Sequence, residues 1–230
     1  LNERLQKCKQ VDEIVFAIPD NQKNLKLKKY LESKNINSFS GSERNVLERY
    51  YFASKKFNAK TIIRITSDSP LADYNLIDQF VKIFNKSKVD YLSNNLNYSF
   101  PHGLDVEVFS YKSLEKSYYN AKSEYEKEHV TPYIRKNNNF KKLNLFLNKD
   151  YHKIRLTVDY EKDLIVIKNI LKEIKNSNKF GLREIIELYE RKNEIFSPNK
   201  IFKKKFEKDF AKEQKNWISK YYLKQVLKLC

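Results

Sequence analysis

Residues 61–78 read TIIRITSDSPLADYNLID, and this stretch decides the fold. TIIRITS at 61–67 is apolar and β-branched, the composition of a buried strand. Asp68 ends it; Ser69, Pro70 and Leu71 stop the strand and turn the carboxylate outward, and helical spacing takes over from Leu76 to Phe84. In an α/β sheet the ligands gather past the carboxyl ends of strands, so an acid that directly terminates an apolar strand is a residue to inspect for chemistry.

Working outward, VDEIVFAI at 11–18, bounded by Pro19 and Asp20, reads as a strand, followed by a helix at 22–34 and the short strand INSF at 36–39. Gly41 and Ser42 make a turn and cap a helix over 43–57, in which Val46, Leu47, Tyr50 and Ala53 share a face. On the other side, the pattern predicts strands at 89–94, 104–110, 140–147 and 153–158, and helices at 111–120, 124–136, 160–176 and 181–192. Strands alternating with helices imply an α/β fold around a mostly parallel sheet.

Composition narrows the function. The 230 residues carry 15 Phe and 16 Tyr, too much core material for a disordered chain. Cys8 and Cys230 stand at opposite ends and supply neither a disulfide framework nor a zinc site, so a reducing, cytoplasmic setting is expected. No apolar run approaches the roughly 18 residues of a membrane span. Methionine is absent and Leu1 stands first, from which a fragment cut at least at its N-terminus is expected.

The formal charge of +17 invites a nucleic-acid reading, but only eight of the 46 basic residues are Arg and the lysines are scattered among acids, so no nucleic-acid partner is expected. Between Asn199 and Cys230 ten Lys face three acids, while Phe202, Phe206 and Phe210 repeat at i, i+4, as do Trp217 and Tyr221. That pattern predicts an amphipathic basic helix packing its aromatic stripe on the rest of the chain. SPNK at 197–200 is the best domain boundary, giving a main domain at 1–197 and a basic helical extension at 198–230. With three glycines in all, Gly41, Gly103 and Gly181, these residues hold neither a dinucleotide fingerprint nor a Walker loop.

Two strand ends carry acids. Asp68 closes IIRITS, and Asp159 closes IRLTV and opens the next helix, where it could equally act as a cap. Two acidic strand ends on one edge make an oxygen site for Mg²⁺, which takes one or two protein carboxylates together with substrate phosphates. SFPHGLDVEVFS at 99–110 sets a Pro-His-Gly turn before Asp105 and Glu107 on one strand face, a pair suited to a hydroxyl-rich ligand or a neighbouring cation, or to a solvated edge. His129 in EKEHVTPYI reads as a hydrogen-bonding histidine of a helix, and no Ser/His/Asp grouping supports nucleophilic hydrolysis.

In their order and spacing, VDEIVFAIPDN, FSGSERNVLERYYFA, IIRITSDSPLADYNLID, FPHGLDVEVFS, EKEHVTPYI and IRLTVDYEKDL resemble the cytidylyltransferase family of the spore coat polysaccharide biosynthesis protein F type. More distantly they are similar to CMP-sugar synthetases. The likeness spans residues 1 to about 190.

The resemblance implies a three-layer, Rossmann-like nucleotide-diphospho-sugar transferase fold. It also implies a cytidylyltransferase that uses Mg²⁺ and joins CTP to a sugar or sugar phosphate, releasing pyrophosphate, for surface polysaccharide or glycan biosynthesis. Asp68 and Asp159 match the family's catalytic, metal-binding aspartates. Asp20, Ser42, Leu47 and Ser67 fall on the nucleotide side, and His102, Gly103, Asp105, Glu107 and His129 on the acceptor side.

The family's first strand and its Arg- and Gly-containing triphosphate loop do not occur in these residues, so little catalysis is expected from them alone. Ser67 stands where the family usually has Gly, and His102 where it often has Arg. A glycosyltransferase on the same fold, with Asp73 as a second acid, and a non-catalytic binding module are the competing readings. The oligomeric state and a further fused domain stay open.

Overall fold

The computed structural model describes residues 1–174 and 179–227. The end of the helix expected over 160–176, and Cys230, lie outside them. In chain order the elements are α1 (Asn2–Leu5), β1 (Phe16–Pro19), α2 (Leu25–Ser33), β2 (Ser38–Gly41), α3 (Val46–Lys56), β3 (Thr61–Arg64), α4 (Tyr74–Ser87), β4 (Tyr91–Ser93), β5 (Glu107–Ser110) and α5 (Tyr111–Asn120). There follow α6 (Glu124–His129), α7 (Pro132–Lys136), β6 (Lys142–Phe146), α8 (Glu161–Glu173), α9 (Leu182–Arg191), α10 (Lys203–Trp217) and β7 (Leu223–Val226).

The strands form two sheets. β1 and β2 pair in parallel, and a five-stranded sheet runs β3-β5-β4-β6-β7. In the larger sheet β5 is antiparallel to both β3 and β4, whereas β4, β6 and β7 are parallel to one another in turn. Between the sheets lies a largely apolar cavity of about 180 Å³, bordered by Ile14, Val15 and Ala17 and by Ile62, Ile63 and Ile65.

Strand periodicity divides the core. Leu92 and Val108 point to one face, where they join Leu76, Ile77 and Phe80 of α4, Val166, Ile167 and Ile170 of α8, and Ile185 of α9. Their neighbours Tyr91 and Phe109 point to the other, against Leu47 and Tyr51 of α3, Leu114 of α5 and Ile134 of α7. The sheet is therefore covered on both faces, and each fully buried Leu, Ile or Phe contributes roughly 1.5–3 kcal/mol.

Caps fix where the helices begin. Asn45 accepts from Glu48 N at 3.1 Å ahead of α3, and Asp73 accepts from Asn75 N at 2.9 Å ahead of α4. Asp73 also accepts from Leu182 N at 2.8 Å, so one carboxylate caps both α4 and α9. A Cβ at Gly181 would collide with it. Asp73, the second acid that a glycosyltransferase reading needs, is thus committed to capping.

Three sequence expectations give way. The strand expected over 153–158 is a single parallel bridge, His102 to Arg155, because this segment bonds to two loops and not to a strand. The helix expected over 124–136 breaks at Val130, whose φ is +71°, and restarts with Pro132, which has no N–H to donate and opens α7. The extension at 198–230 is helical only in part: beyond α10 it returns as β7 and adds an edge strand parallel to β6, with Tyr221 exposed to solvent. Here the ladder bonds to β6 outweigh an i, i+4 pattern, although all four residues of β7 stay exposed.

Candidate active site

Two acidic loops meet beyond β3. The amide of Val158 donates to the carbonyl of Asp68 at 2.8 Å, so the loop carrying Asp159 lies against the loop carrying Asp68. The hydrogen bonds to the Asp68 carboxylate fall on Oδ1, which accepts from the hydroxyls of Thr66 and Ser69. Asp159 receives Arg155 Nη2 on its Oδ2 at 2.5 Å and stays 47 % exposed. Ser67 is exposed beside them.

The 154–158 segment is stitched to the Pro-His-Gly turn. His102 N donates to Ile154 O at 2.8 Å, and Leu156 N donates to His102 O at 2.7 Å. Gly103 makes this approach possible: its φ is +100°, and a Cβ there would stand 2.7 Å from Thr157 N. Its amide donates to Asp105 Oδ2 at 3.0 Å, turning that carboxylate back over the loop. Burial pushes the Asp105 carboxyl up and the His102 imidazole down, so both lean toward their neutral forms.

Glu107 is of a different kind. Its side chain is 1 % exposed and accepts from Arg64 Nη1 at 2.5 Å, Tyr91 Oη at 2.6 Å and Thr131 Oγ1 at 2.6 Å. Burial alone would raise its pKa; the Arg64 and Arg135 charges and these hydrogen bonds hold it below the usual carboxylate value instead. The expectation that Glu107 contacts the acceptor is corrected: its bonding capacity is used inside the protein.

Leu47 is likewise corrected. At 1 % exposure it belongs to the core under α3 and offers a nucleotide no surface. Ser42 is a turn residue, its Oγ accepting from Asn45 N at 3.0 Å and its carbonyl from Arg49 Nη1 at 2.6 Å. Asp20 is exposed at the end of β1, with its amide bonded to Gly41 O at 2.7 Å. His129, ending α6, packs on the Tyr125 ring at 4.3 Å, and burial lowers its pKa.

Helix α10 lies over the Pro-His-Gly turn. Phe206 packs 4.3 Å from the His102 ring and Phe210 4.5 Å from Tyr98, while Glu213 pairs with the buried Arg135 at 2.7 Å. Trp217 stacks on Tyr125 at 4.6 Å. Phe202, Phe206, Phe210 and Trp217 therefore pack on the main body of the chain, whereas Tyr221, the last member of the predicted stripe, does not. Nearby, among the described residues, Thr157 Oγ1 and the Nε and Nη2 of Arg135 are buried without hydrogen-bond partners.

Sequence reasoning missed Arg155, Asp163, Arg64, Arg135 and Glu213. A signal existed for the first: Arg155 is a charge inside the apolar run IRLTV, four residues before Asp159 and eight before Asp163.

The family described as cytidylyltransferase matches residues 1–213. The chain belongs to the cytidylyltransferase family. Like that family, it is a nucleotidyltransferase with mixed α/β architecture. A solved cytidylyltransferase from Leptospira borgpetersenii superposes with a TM-score of 0.80 and 28 % identity, covering 84 % of this chain and 82 % of that one. An uncharacterized protein of Methanocaldococcus jannaschii is 36 % identical over 208 residues, 89 % of this chain and 84 % of its own length. The spore coat polysaccharide biosynthesis protein SpsF of Bacillus subtilis is 27 % identical over 184 residues, 78 % of this chain and 75 % of its own length. Among the described residues no helix is long and apolar enough to cross a membrane.

The donor set on the two loops suits Mg²⁺. Among the described residues no group of three or more His, Cys, Asp or Glu could hold a metal unaided. Two carboxylates on adjoining loops are what a cation needs when most of its other ligands are water and substrate phosphate.

Proposed function

We propose that this cytidylyltransferase takes its cytidylyl group from CTP and passes it to a sugar or sugar phosphate, with Mg²⁺ held by Asp68 and Asp159. The observation that carries this reading is the Val158-to-Asp68 backbone bond, which ties the loops of the two acids together. In the reaction an acceptor oxygen forms a bond to the α-phosphorus, the α–β phosphoanhydride bond breaks and pyrophosphate leaves. When bound, Mg²⁺ supplies positive charge to the phosphate oxygens as charge shifts onto the pyrophosphate.

The protein's own groups do the remaining work. Asp68 is braced by Thr66 and Ser69, and Asp159 by Arg155, so neither carboxylate needs to reorganise when charge develops. His102, Gly103 and Asp105 form the acceptor side, where burial lowers the pKa of the imidazole and raises that of the carboxyl. The likeness to SpsF supports a role in polysaccharide or glycan biosynthesis.

Pyrophosphate release tests the proposal. Incubated with CTP, Mg²⁺ and a panel of sugars and sugar phosphates, the full-length protein should release pyrophosphate with at least one acceptor and form the matching CMP-sugar. Transfer from a ready-made nucleotide-sugar without pyrophosphate would make it a glycosyltransferase and overturn the reading.

A further inference from the structure

Arg155 makes more contacts than an ion pair with Asp159 requires. Its Nε donates to Asp163 Oδ1 at 2.9 Å and its Nη2 to Asp163 Oδ2 at 2.9 Å, a two-pronged fork on a carboxylate whose side chain is 0 % exposed. The same Nη2 also reaches Asp159 Oδ2.

Asp163 is a hub. Besides the fork it accepts from the backbone amides of Asp159 and Tyr160, each at 3.1 Å, and from Asn199 Nδ2 at 2.9 Å. Asn199, buried and 36 residues further along the chain, donates to Arg155 O as well, at 3.1 Å. Phe202 stacks on Tyr160 at 4.3 Å, with the Arg155 guanidinium 5.7 Å from its ring. A carboxylate that merely capped α8 would need only the amide bonds; the fork and the distant amide are in excess of that.

Charge explains the excess. Asp159, Asp163 and Arg155 together carry one net negative charge, and the deep carboxylate takes the fork. Asp159 is thereby braced at one oxygen without being neutralised. If Asp163 lost its charge, the guanidinium would be free to close on Asp159 and compete with any cation.

We infer that Arg155 is a positioning residue, locked by Asp163 and Asn199, that holds Asp159 ready for a divalent cation while Asp163 absorbs its charge. This rests on the reading of Asp159 as a cation ligand. It also gives the segment after 197 a part in the site, through Asn199.

The test uses Mn²⁺ with CTP as the probe and follows binding to the full chain by water-proton relaxation enhancement, with thermal melting alongside. Asp163→Asn should weaken Mn²⁺–CTP binding by about 10-fold or more, the scale of a lost contact behind a metal ligand. The double variant Arg155→Gln with Asp163→Asn removes the competing cation but also the brace on Asp159, and should recover part of the loss, to about the level of Arg155→Lys, a partial recovery that a merely structural defect would not show.

Arg155→Lys keeps the charge but cannot fork, and should weaken binding by about threefold or more with little change in melting, so it carries the test if Asp163→Asn does not fold. Wild-type affinity in Asp163→Asn or Arg155→Lys, or a double variant as weak as folded Asp163→Asn, would overturn the inference alone. Absence of enhancement in the wild type would overturn the cation reading and this inference with it.

Discussion

Two acidic regions a short distance apart in the fold carry their charges in opposite ways. Glu107 sits under the sheet face with Arg64, Tyr91 and Thr131 all donating to it, and solvent does not reach it. Asp68 and Asp159 sit on loops, Asp68 braced by the hydroxyls of Thr66 and Ser69 and Asp159 by the Arg155 guanidinium, with Asp159 half open to water. A carboxylate bonded on every side stabilises the fold and has nothing left for a ligand. One that is braced but open keeps its charge for chemistry.

The comparison can be broken by exchanging the expected outcomes. Glu107→Ala leaves the half-buried Arg64 and the buried Tyr91 and Thr131 without their partner and should lower stability by about 3 kcal/mol in urea denaturation, the low end of the cost of breaking a buried pair. A loss under about 1 kcal/mol would show that the network is not structural. Asp68→Ala should do the reverse. Turnover should fall at least about 100-fold, the scale of a lost transition-state contact, with melting nearly unchanged.

Smaller effects sharpen the boundary between the regions. Gly103→Ala forces a side chain into the positive-φ turn and against Thr157 N, and should cost about 1–3 kcal/mol. If melting stays at the wild-type value, the close approach of the two loops is not as described.

Lys142 supplies the cationic counterpart to Glu107. It is buried, its Nζ donates to Asn137 O at 2.5 Å, and burial brings its pKa down to about 8. Between pH 8 and the unperturbed 10.5 the unfolded chain therefore holds the extra proton, and wild-type stability rises with pH. Lys142→Met should melt above wild type at pH 7, and the gap should shrink as pH climbs through that window. A gap that does not change with pH would contradict a strained buried charge.

Much of this fold was legible because local signals agreed with each other. TIIR at 61–64, the stop at Ser69 to Leu71 and the helical spacing from Leu76 follow from an apolar β-branched run, a proline and a 3.6-residue period, whereas the Asp73 cap that starts α4 at Tyr74 shows only in the structure. Where the sequence misled, the deciding contact was distant. Leu223–Val226 is a strand because β6 offers it an edge, and 153–158 is not one because two loops claim its amides.

The site divides the same way. The acids at strand ends could be picked out by position, but Glu107 could not be set apart from Asp105 by alternation alone. Its partners Arg64, Tyr91 and Thr131 come from three other elements. Leu47 was legible as a member of a helix face, and that face proved to be the buried one. Arg155 and Asp163 carried a spacing signal, but the amide that locks them, Asn199, lies beyond the predicted domain boundary.

The most direct measurement is anomalous scattering from crystals grown with CTP and Mn²⁺. A manganese peak bonded to one oxygen each of Asp68 and Asp159 and to the nucleotide phosphates is the expected result. A peak whose ligands include neither aspartate, with CTP in place, would contradict the account.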